Sequence, residues 1–534
     1  MAGIRRPFAE FSLMTVTVDK EEYDGLRAQV QHLAKENEQL HSQLHLLREQ
    51  VQLARYNRFA ASSERSSTAQ TKLHLFDEPE AEADPEQPEP DVETITYKRK
   101  KRAGRRPELE GLPVERVEYR LPAEVQICPS CQGPLHEMST EVRREFKVVP
   151  IQMVIVEHVQ HLYACRACEK GQETTPIVKA PMPRPLQSGS LASPSAVSHL
   201  MARKFQQGLP LYRLEQEFAT LGIRLSRQTM ANWILHSSQT YLERIYERLH
   251  EDLVGRRYLH ADETRVQVLH EPGRRAEQTS YMWLYRSGRD GPKVVLYDYE
   301  QTRQAAHPRR FLSGFEGYLH VDGYAGYHDL PGVKLVGCWA HARRKFDEAV
   351  KALPAKRRAG QTAAEEGLAH CNRLFGIERR IGDASPEERR RVREADSAKA
   401  LTEFRTWLEA REKDVLPQSA LGRAVNYCLT QWPKLTAFLE DGNLEIDNNA
   451  AERAIKPFVI GRKNWLFANT PRGARASAVV YSLVETAKEN GLDPQRYLEH
   501  VLTRLPKLEP EDKAGLDELL PWSDALRQKV RGRR

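Results

Sequence analysis

Between residues 21 and 54 the apolar positions recur every seven residues. Leu26, Leu33, Leu40 and Leu47 form one seam, and Val30, Asn37, Leu44 and Val51 form the second. Both seams persist with polar flanks, which predicts a coiled coil over 20–56, and a single polar Asn37 among apolar seam positions fixes register in a parallel two-stranded zipper. Leu26, Leu33, Asn37, Leu40 and Leu47 are therefore the expected dimerisation residues. The apolar pattern then lapses over 57–110, a stretch rich in Ser, then Glu and Pro, then Lys and Arg, which reads as a linker. It returns in EVRREFKVV and QMVIVEHVQHLYA, two expected strands joined at Pro150.

Residues 193–238 read as helical in SPSAVSHLMARKF, LYRLEQEFATLG and SRQTMANWILHSS. Leu211 to Ile234 has a helix-turn-helix cadence within a region spanning 190–245. One helix ends near Gly222, and Ser226 can cap a second that carries Arg227, Gln228 and Asn232 outward. Those side chains suit phosphate and base-edge contacts, although an ordinary helical hairpin has the same cadence. From 256 the period changes. RRYLHADETRVQVL, TSYMWLYRS and KVVLYDYE are runs of β-branched and aromatic residues between polar turns. A helix-like RQAAHPRRFLSGF, an apolar GYLHVDGYAGY, and KLVGCWAHARRKFDEAV as strand into helix follow. Residues 350–440 are charged and helical throughout. The order βββαβ with further αβ units suggests a mixed sheet of the ribonuclease-H kind in a multidomain α+β chain.

At 534 residues the chain exceeds one ordinary core, and roughly two to four domains are expected. No stretch approaches the roughly 18 consecutive apolar residues of a membrane helix, and the N-terminus lacks a signal peptide's apolar run. A cytoplasmic location and no membrane partner are expected. The formal charge of +7 is unevenly spread: residues 77–93 hold nine acids and four prolines, whereas 98–106 hold seven bases and the tail over 523–534 ends RQKVRGRR. Such blocks serve either as solvated linkers or as polyphosphate contacts. Seven cysteines are present. Cys128 with Cys131, and Cys165 with Cys168, form two close pairs that can complete one tetrahedral zinc within a module over 111–185. Four thiolates leave no open position, so this Zn²⁺ is expected to be structural. His136, His158 and His161 nearby read as strand or loop residues, and Cys371 and Cys428 carry no signal.

Asp262 lies inside the first apolar strand, where a carboxylate is costly unless paired or metal-bound. Asp322 closes the fourth strand, just before a Gly-Tyr-Ala-Gly turn. If those strands are neighbours, the two acids face each other. A third acid has to come from 444–470, where Asp447 reads as a helix N-cap and Glu452 lies one turn inside. Glu445 and Asp447 remain rivals on composition. Such a set fits phosphodiester chemistry with two Mg²⁺ or Mn²⁺ ions about 4 Å apart, since hard ions take oxygen ligands. GRKNW supplies Arg462 and Lys463 for phosphates, and Trp465 for stacking on a base or packing in the core.

The chain resembles a transposase of the bacterial insertion sequence 66 family, of the DDE class. The resemblance is carried by AGRRPELEGLP, CPSC, YACRACEKG, LPLYRLEQEFATLGIRLSRQTMANW, HADET, YLHVDGYAGY, GCWAHARRKF, IDNNAAERAIKPFVIGRKNWLF and ASAVVYSLVETAKENGLDPQRYLEHVL, in family order from about residue 20 to 522. It implies that Asp262, Asp322 and Glu452 are the metal-binding triad of a catalytic domain over 255–348 and 441–470. It further implies that 349–440 is a helical insertion and 471–522 a small helical tail domain. Cys338 and His341 match a Cys-x-x-His element whose His lies near bound DNA, with Arg343 and Arg344 beside it as phosphate contacts; a packed Cys and a solvated His fit the residues equally well. The implied partners are transposon-end and target DNA, a second or further copy of the chain, and accessory proteins of the same element, in a bacterial cytoplasm and on the nucleoid when DNA-bound. Terminal inverted repeats are bound, an activated water cuts at the element's end, and the freed 3′-hydroxyl attacks the target. Two other classes stay open: a DNA-binding regulator without catalysis, and a ribonuclease-H-like nuclease.

Overall fold

The structure is a computed structural model and describes residues 19–59, 153–164, 177–353 and 362–526. The chain divides into two compact units, Arg65–Met182 and the remainder, Met1–Glu64 with Pro183–Arg534. In the smaller unit β1 (Leu162–Ala164) pairs antiparallel with β2 (Ile177–Lys179), Tyr163 opposite Val178. The strand expected over QMVIVEHVQHLYA therefore forms only at its last three residues, and its partner is Ile177–Lys179. Val154, Ile155, Val156 and Val159 are exposed, and β-branched composition does not hold a strand that no described neighbour pairs with. EVRREFKVV, the linker from residue 60 onward, the terminal tail from 527, and Cys128, Cys131, Cys165 and Cys168 lie outside the described residues.

In the larger unit, α1 (Lys20–Phe59) is a 40-residue helix that runs three residues past the expected end. Its seam side chains Leu26, Val30, Leu33, Leu40, Leu44, Leu47 and Val51 are 48–65% exposed. Four helices precede the sheet: α2 (Pro194–Met201, continued as a wider turn to Gln206), α3 (Leu211–Thr220), α4 (Arg227–Ser237) and α5 (Glu243–Val254). Gly222, at φ +82, follows the end of α3, a conformation in which a Cβ is strained. Ser226 accepts from Thr229 N to cap α4.

The sheet has five strands: β3 (Tyr258–Gln267), β4 (Thr279–Ser287), β5 (Val295–Glu300), β6 (Gly317–His320) and β7 (Val333–Val336). Their spatial order is β5-β4-β3-β6-β7. The first three are antiparallel neighbours, and β6 and β7 join parallel to β3. Between β5 and β6 the helix-like run shortens to α6 (Ala306–Phe311). After β7 comes α7 (Trp339–Ala352), then α8 (Ala363–Arg380), α9 (Pro386–Val392), α10 (Ala398–Glu412) and α11 (Ala420–Thr436). These helices share a second core around Trp339, Phe346, Phe404 and Phe438. The chain then returns to the sheet with α12 (Asn449–Trp465) and ends in α13 (Pro471–Glu489), α14 (Pro494–Arg504) and α15 (Lys513–Asp517).

Two polar devices tie the returning segment down. Arg393 is fully buried and pairs with Glu378 through two bonds of 2.7 Å. Its remaining donors reach the carbonyls of Phe438, Asp441 and Leu444, so the helical insertion fixes the loop that leads into α12. On the sheet, Arg286 of β4 donates to Ala450 O at 3.0 Å and pairs with Glu489 at 2.7 Å.

Candidate active site

The parallel pairing of β3 with β6 sets Leu259 opposite Leu319 and His260 opposite His320. Asp262 and Asp322 each lie two residues further on, so the register carries both acids to one level at the strands' C-terminal side. One layer below, His260 and His320 stack with ring centroids 4.2 Å apart. Both imidazoles are buried, and burial holds both below the ordinary histidine range, His320 at about 4. They act as neutral hydrogen-bonding groups: His320 Nδ1 donates to Leu259 O at 3.2 Å and Nε2 accepts from Glu445 N at 3.0 Å.

The third acid arrives on α12. The helix is capped one residue later than the sequence suggests, at Asn448, with no side-chain cap bond. Asn448 instead turns into the sheet. Its Oδ1 accepts from His260 Nδ1 at 2.9 Å, its Nδ2 donates to Ala261 O at 2.8 Å, and its amide donates to Cys338 Sγ at 3.2 Å. Asp447 was the expected cap; its carboxylate accepts from the Asn449 amide and side chain, and burial pushes it up to about 6. Asn448 thus pins the start of α12 to the strand that carries Asp262, and Glu452 falls one turn inside. A cavity of about 270 Å³ results, lined by Asp262, Asp322, His341, Arg344, Asn448, Glu452, Ile455 and Lys456.

The electrostatics of this cavity are unfavourable as it stands. Burial, then the neighbouring Glu263, Asp322 and Glu452, push Asp262 up to about 8. Its Oδ1 accepts from Glu263 N at 2.8 Å, and Asp322 Oδ1 accepts from Tyr324 N at 2.8 Å. Among the described residues the buried Glu452 Oε1 has no hydrogen-bond partner, with His341 Nε2 at 3.8 Å and Arg344 Nη2 reaching the other oxygen at 3.7 Å. Clustered carboxylates with an orphaned acceptor have the donor chemistry of a hard divalent cation site. Glu263 points elsewhere, paired with Arg303 and accepting from Tyr327 OH at 2.6 Å.

The rival Glu445 is held by Arg289, which keeps its carboxyl below the usual range despite burial; neither it nor Asp447 lines the cavity. Of the expected phosphate contacts, His341 and Arg344 line the cavity, whereas Arg343 turns to Asn372 at 2.7 Å. Arg462 is near the far end of α12, 3.4 Å from Thr264 Oγ1, and lines a separate cavity of about 320 Å³ with Arg265, Gln267 and Glu277; Lys463 beside it is exposed. Trp465 packs on Phe458 and under Lys204 rather than standing free for a base. Arg227, Gln228 and Asn232 are all exposed on α4. Sequence reasoning missed Asn448 and Lys456. Lys456 follows Glu452 by four residues, the spacing that shares a helix face, so periodicity alone offered it.

A family model described as "Transposase IS66 family" matches residues 189–476, which include every residue lining the acidic cavity. Three further models match: "zinc-finger binding domain of transposase IS66" over 126–169, "Transposase C of IS166 homeodomain" over 46–117, and "IS66 C-terminal element" over 482–522. The first of these three spans all four paired cysteines. The chain is 31% identical over 510 residues to "Uncharacterized protein y4jD" of Sinorhizobium fredii (strain NBRC 101917 / NGR234), covering 92% of this chain and 97% of that protein. It is 33% identical over 431 residues to "Uncharacterized protein y4qI" of the same strain, covering 77% and 76%. The class is that of transposases equipped with DNA-binding elements, and divalent metal use comes with it. Within that class the chain belongs to the IS66 family.

Proposed function

We propose that this protein cuts and joins DNA at the ends of its own insertion sequence by a DDE two-metal-ion mechanism, with Asp262, Asp322 and Glu452 as ligands. What supports the reading is the convergence of three carboxylates from β3, the end of β6 and α12 on one cavity, where Asp262 is pushed up to about 8 and Glu452 Oε1 has no hydrogen-bond partner among the described residues. The sheet order, with three antiparallel strands and two more parallel to the first, supports a ribonuclease-H-like catalytic domain over 255–348 and 441–470. Bound Mg²⁺ or Mn²⁺ supplies the activated water and neutralises the leaving oxygen. Asp262, Asp322 and Glu452 would be the carboxylates that hold the ions. Arg344 and Lys456 face the same cavity and orient the scissile phosphate, while the Asn448 clamp keeps Glu452 in register with Asp262. The exposed Arg227, Gln228 and Asn232 of α4 read the terminal repeats, and the exposed seam of α1 pairs with a second copy. Cys128, Cys131, Cys165 and Cys168 hold one structural Zn²⁺. The protein works in the bacterial cytoplasm.

The test is nicking of a duplex that contains the element's end, followed by joining of a pre-cut 3′-hydroxyl end. Nicking is expected only with Mg²⁺ or Mn²⁺ and is abolished by Asp262→Asn. Binding without nicking returns the protein to a DNA-binding regulator. Hydrolysis without joining makes it a nuclease.

A further inference from the structure

Cys338 is the N-cap residue of α7 and His341 lies three residues on, so both face the end of α12 that bears Glu452. One ligand atom from each of the three lies within 4.8 Å of the others. The His341 imidazole has one ring nitrogen 3.8 Å from Glu452 Oε1; its other nitrogen is buried and, among the described residues, has no hydrogen-bond partner, as is true of Glu452 Oε1 itself. Cys338 Sγ is fully buried and receives the Asn448 amide, the kind of backbone bond that steadies a metal-bound sulfur. Sulfur, nitrogen and oxygen donors with one side open to a cavity form a set that zinc accepts and magnesium does not. Ligands about 2.0–2.3 Å from an ion stand closer together than these atoms do, so an ion there would have to draw the Glu452 and His341 side chains in toward Cys338.

We propose that this corner of the cavity binds one soft divalent ion, zinc or a chemically similar metal, through Cys338, His341 and Glu452, and that binding there switches the enzyme off. Coordination releases the thiol proton to solvent and leaves the sulfur as thiolate. It also withdraws Glu452 from Asp262 and Asp322, so the hard-ion site loses its third carboxylate. The binding half stands on the side-chain cluster alone; the inhibition half rests on the function proposed above.

Full-length protein is saturated with Zn²⁺, desalted, and its bound metal counted. Wild type is expected to hold one equivalent more than Cys338→Ser and than His341→Gln, two variants that leave Cys128, Cys131, Cys165 and Cys168 intact. Replacing Zn²⁺ with Co²⁺ adds a sulfur-to-metal charge-transfer band that both variants lose in part. Equal stoichiometry in all three proteins overturns the site. Mg²⁺-dependent nicking is then titrated with Zn²⁺, each protein referred to its own zinc-free rate. The midpoint of inhibition is expected to rise at least about tenfold in Cys338→Ser, the weakening that loss of one supporting ligand brings; an unchanged midpoint overturns the inhibition. If wild type binds the extra equivalent yet never nicks DNA, the metal site stands, while the nuclease reading falls and takes the inhibition with it.

Discussion

Asp262 shows what a carboxylate set inside an apolar strand costs the fold that carries it. Its carboxyl belongs to a strand whose neighbours Leu259 and Ala261 are buried, and three other acids lie close enough to raise it further. The sign of the linkage follows from the direction of the shift. A carboxyl raised from 3.8 to about 8 binds its proton more tightly folded than unfolded, so the stability it contributes is full below about pH 4 and is lost as pH rises through about 8. In metal-free protein Asp262→Asn is therefore expected to stabilise, by on the order of 2 kcal/mol at neutral pH once water penetration is discounted. The advantage over wild type should grow from pH 4 to pH 8 in thermal melts. Mg²⁺ should then raise the melting temperature of wild type and not of the variant. A variant less stable than wild type throughout, with no pH trend, rules out an electrostatic strain at this residue.

At the scale of elements, the outer edge of the sheet is covered in a way that depends on matched spacings. β5 is an edge strand, and its open amides at Val295 and Tyr297 donate to Thr486 Oγ1 at 3.0 Å and Ser482 Oγ at 2.8 Å. Residues four apart on a helix advance about 6 Å, close to the rise of about 6.6 Å between alternate strand residues, so α13 lies along the strand and removes the template for edge pairing. Ser482→Ala with Thr486→Val is expected to cost about 1–3 kcal/mol per orphaned amide and to promote concentration-dependent aggregation, read by melting and light scattering. Unchanged stability and solubility count against this role. The three antiparallel strands were legible because each is a short apolar run with clear breaks, and Asp262 and Asp322 were legible as the two polar residues out of place in such runs. The helical character of the stretch between β7 and α12 was legible from its charge and its lack of strand candidates. What no local pattern carried was how α12 docks: Asn448 bonds residues about 110 and 187 positions away, and Arg393 ties the insertion to carbonyls up to 51 positions on. Those bonds bring Glu452 rather than Glu445 or Asp447 to the cavity, while Arg343 is drawn away by its own bond to Asn372. The β1 strand failed for the opposite reason: local propensity was high, but the described chain offers it only a three-residue partner.

For the whole molecule, the decisive surface is α1. Among the described residues the seam leucines and valines of this helix stand half exposed, which offers apolar area that association can bury. The heptad spacing fits a parallel pair, and in such a pair Asn37 would set the register at some cost in stability. Its far end is anchored on its own chain, where Glu49 accepts from Ala420 N at 2.9 Å, so pairing of two α1 helices brings two sheet-bearing units into one particle. The full chain is expected to scatter as about twice its mass of 61.3 kDa. Leu33→Glu with Leu40→Glu, placing repelling charges in the seam, should return it to a single mass while the melting of the sheet-bearing unit stays unchanged. Asn37→Val separates a zipper from a helix that merely packs on its own protein. In a zipper the substitution raises the melting temperature and broadens the oligomer distribution, because the register constraint is gone. In a self-packed helix it leaves the mass untouched. A wild-type chain that stays monomeric at tens of micromolar defeats the pairing altogether.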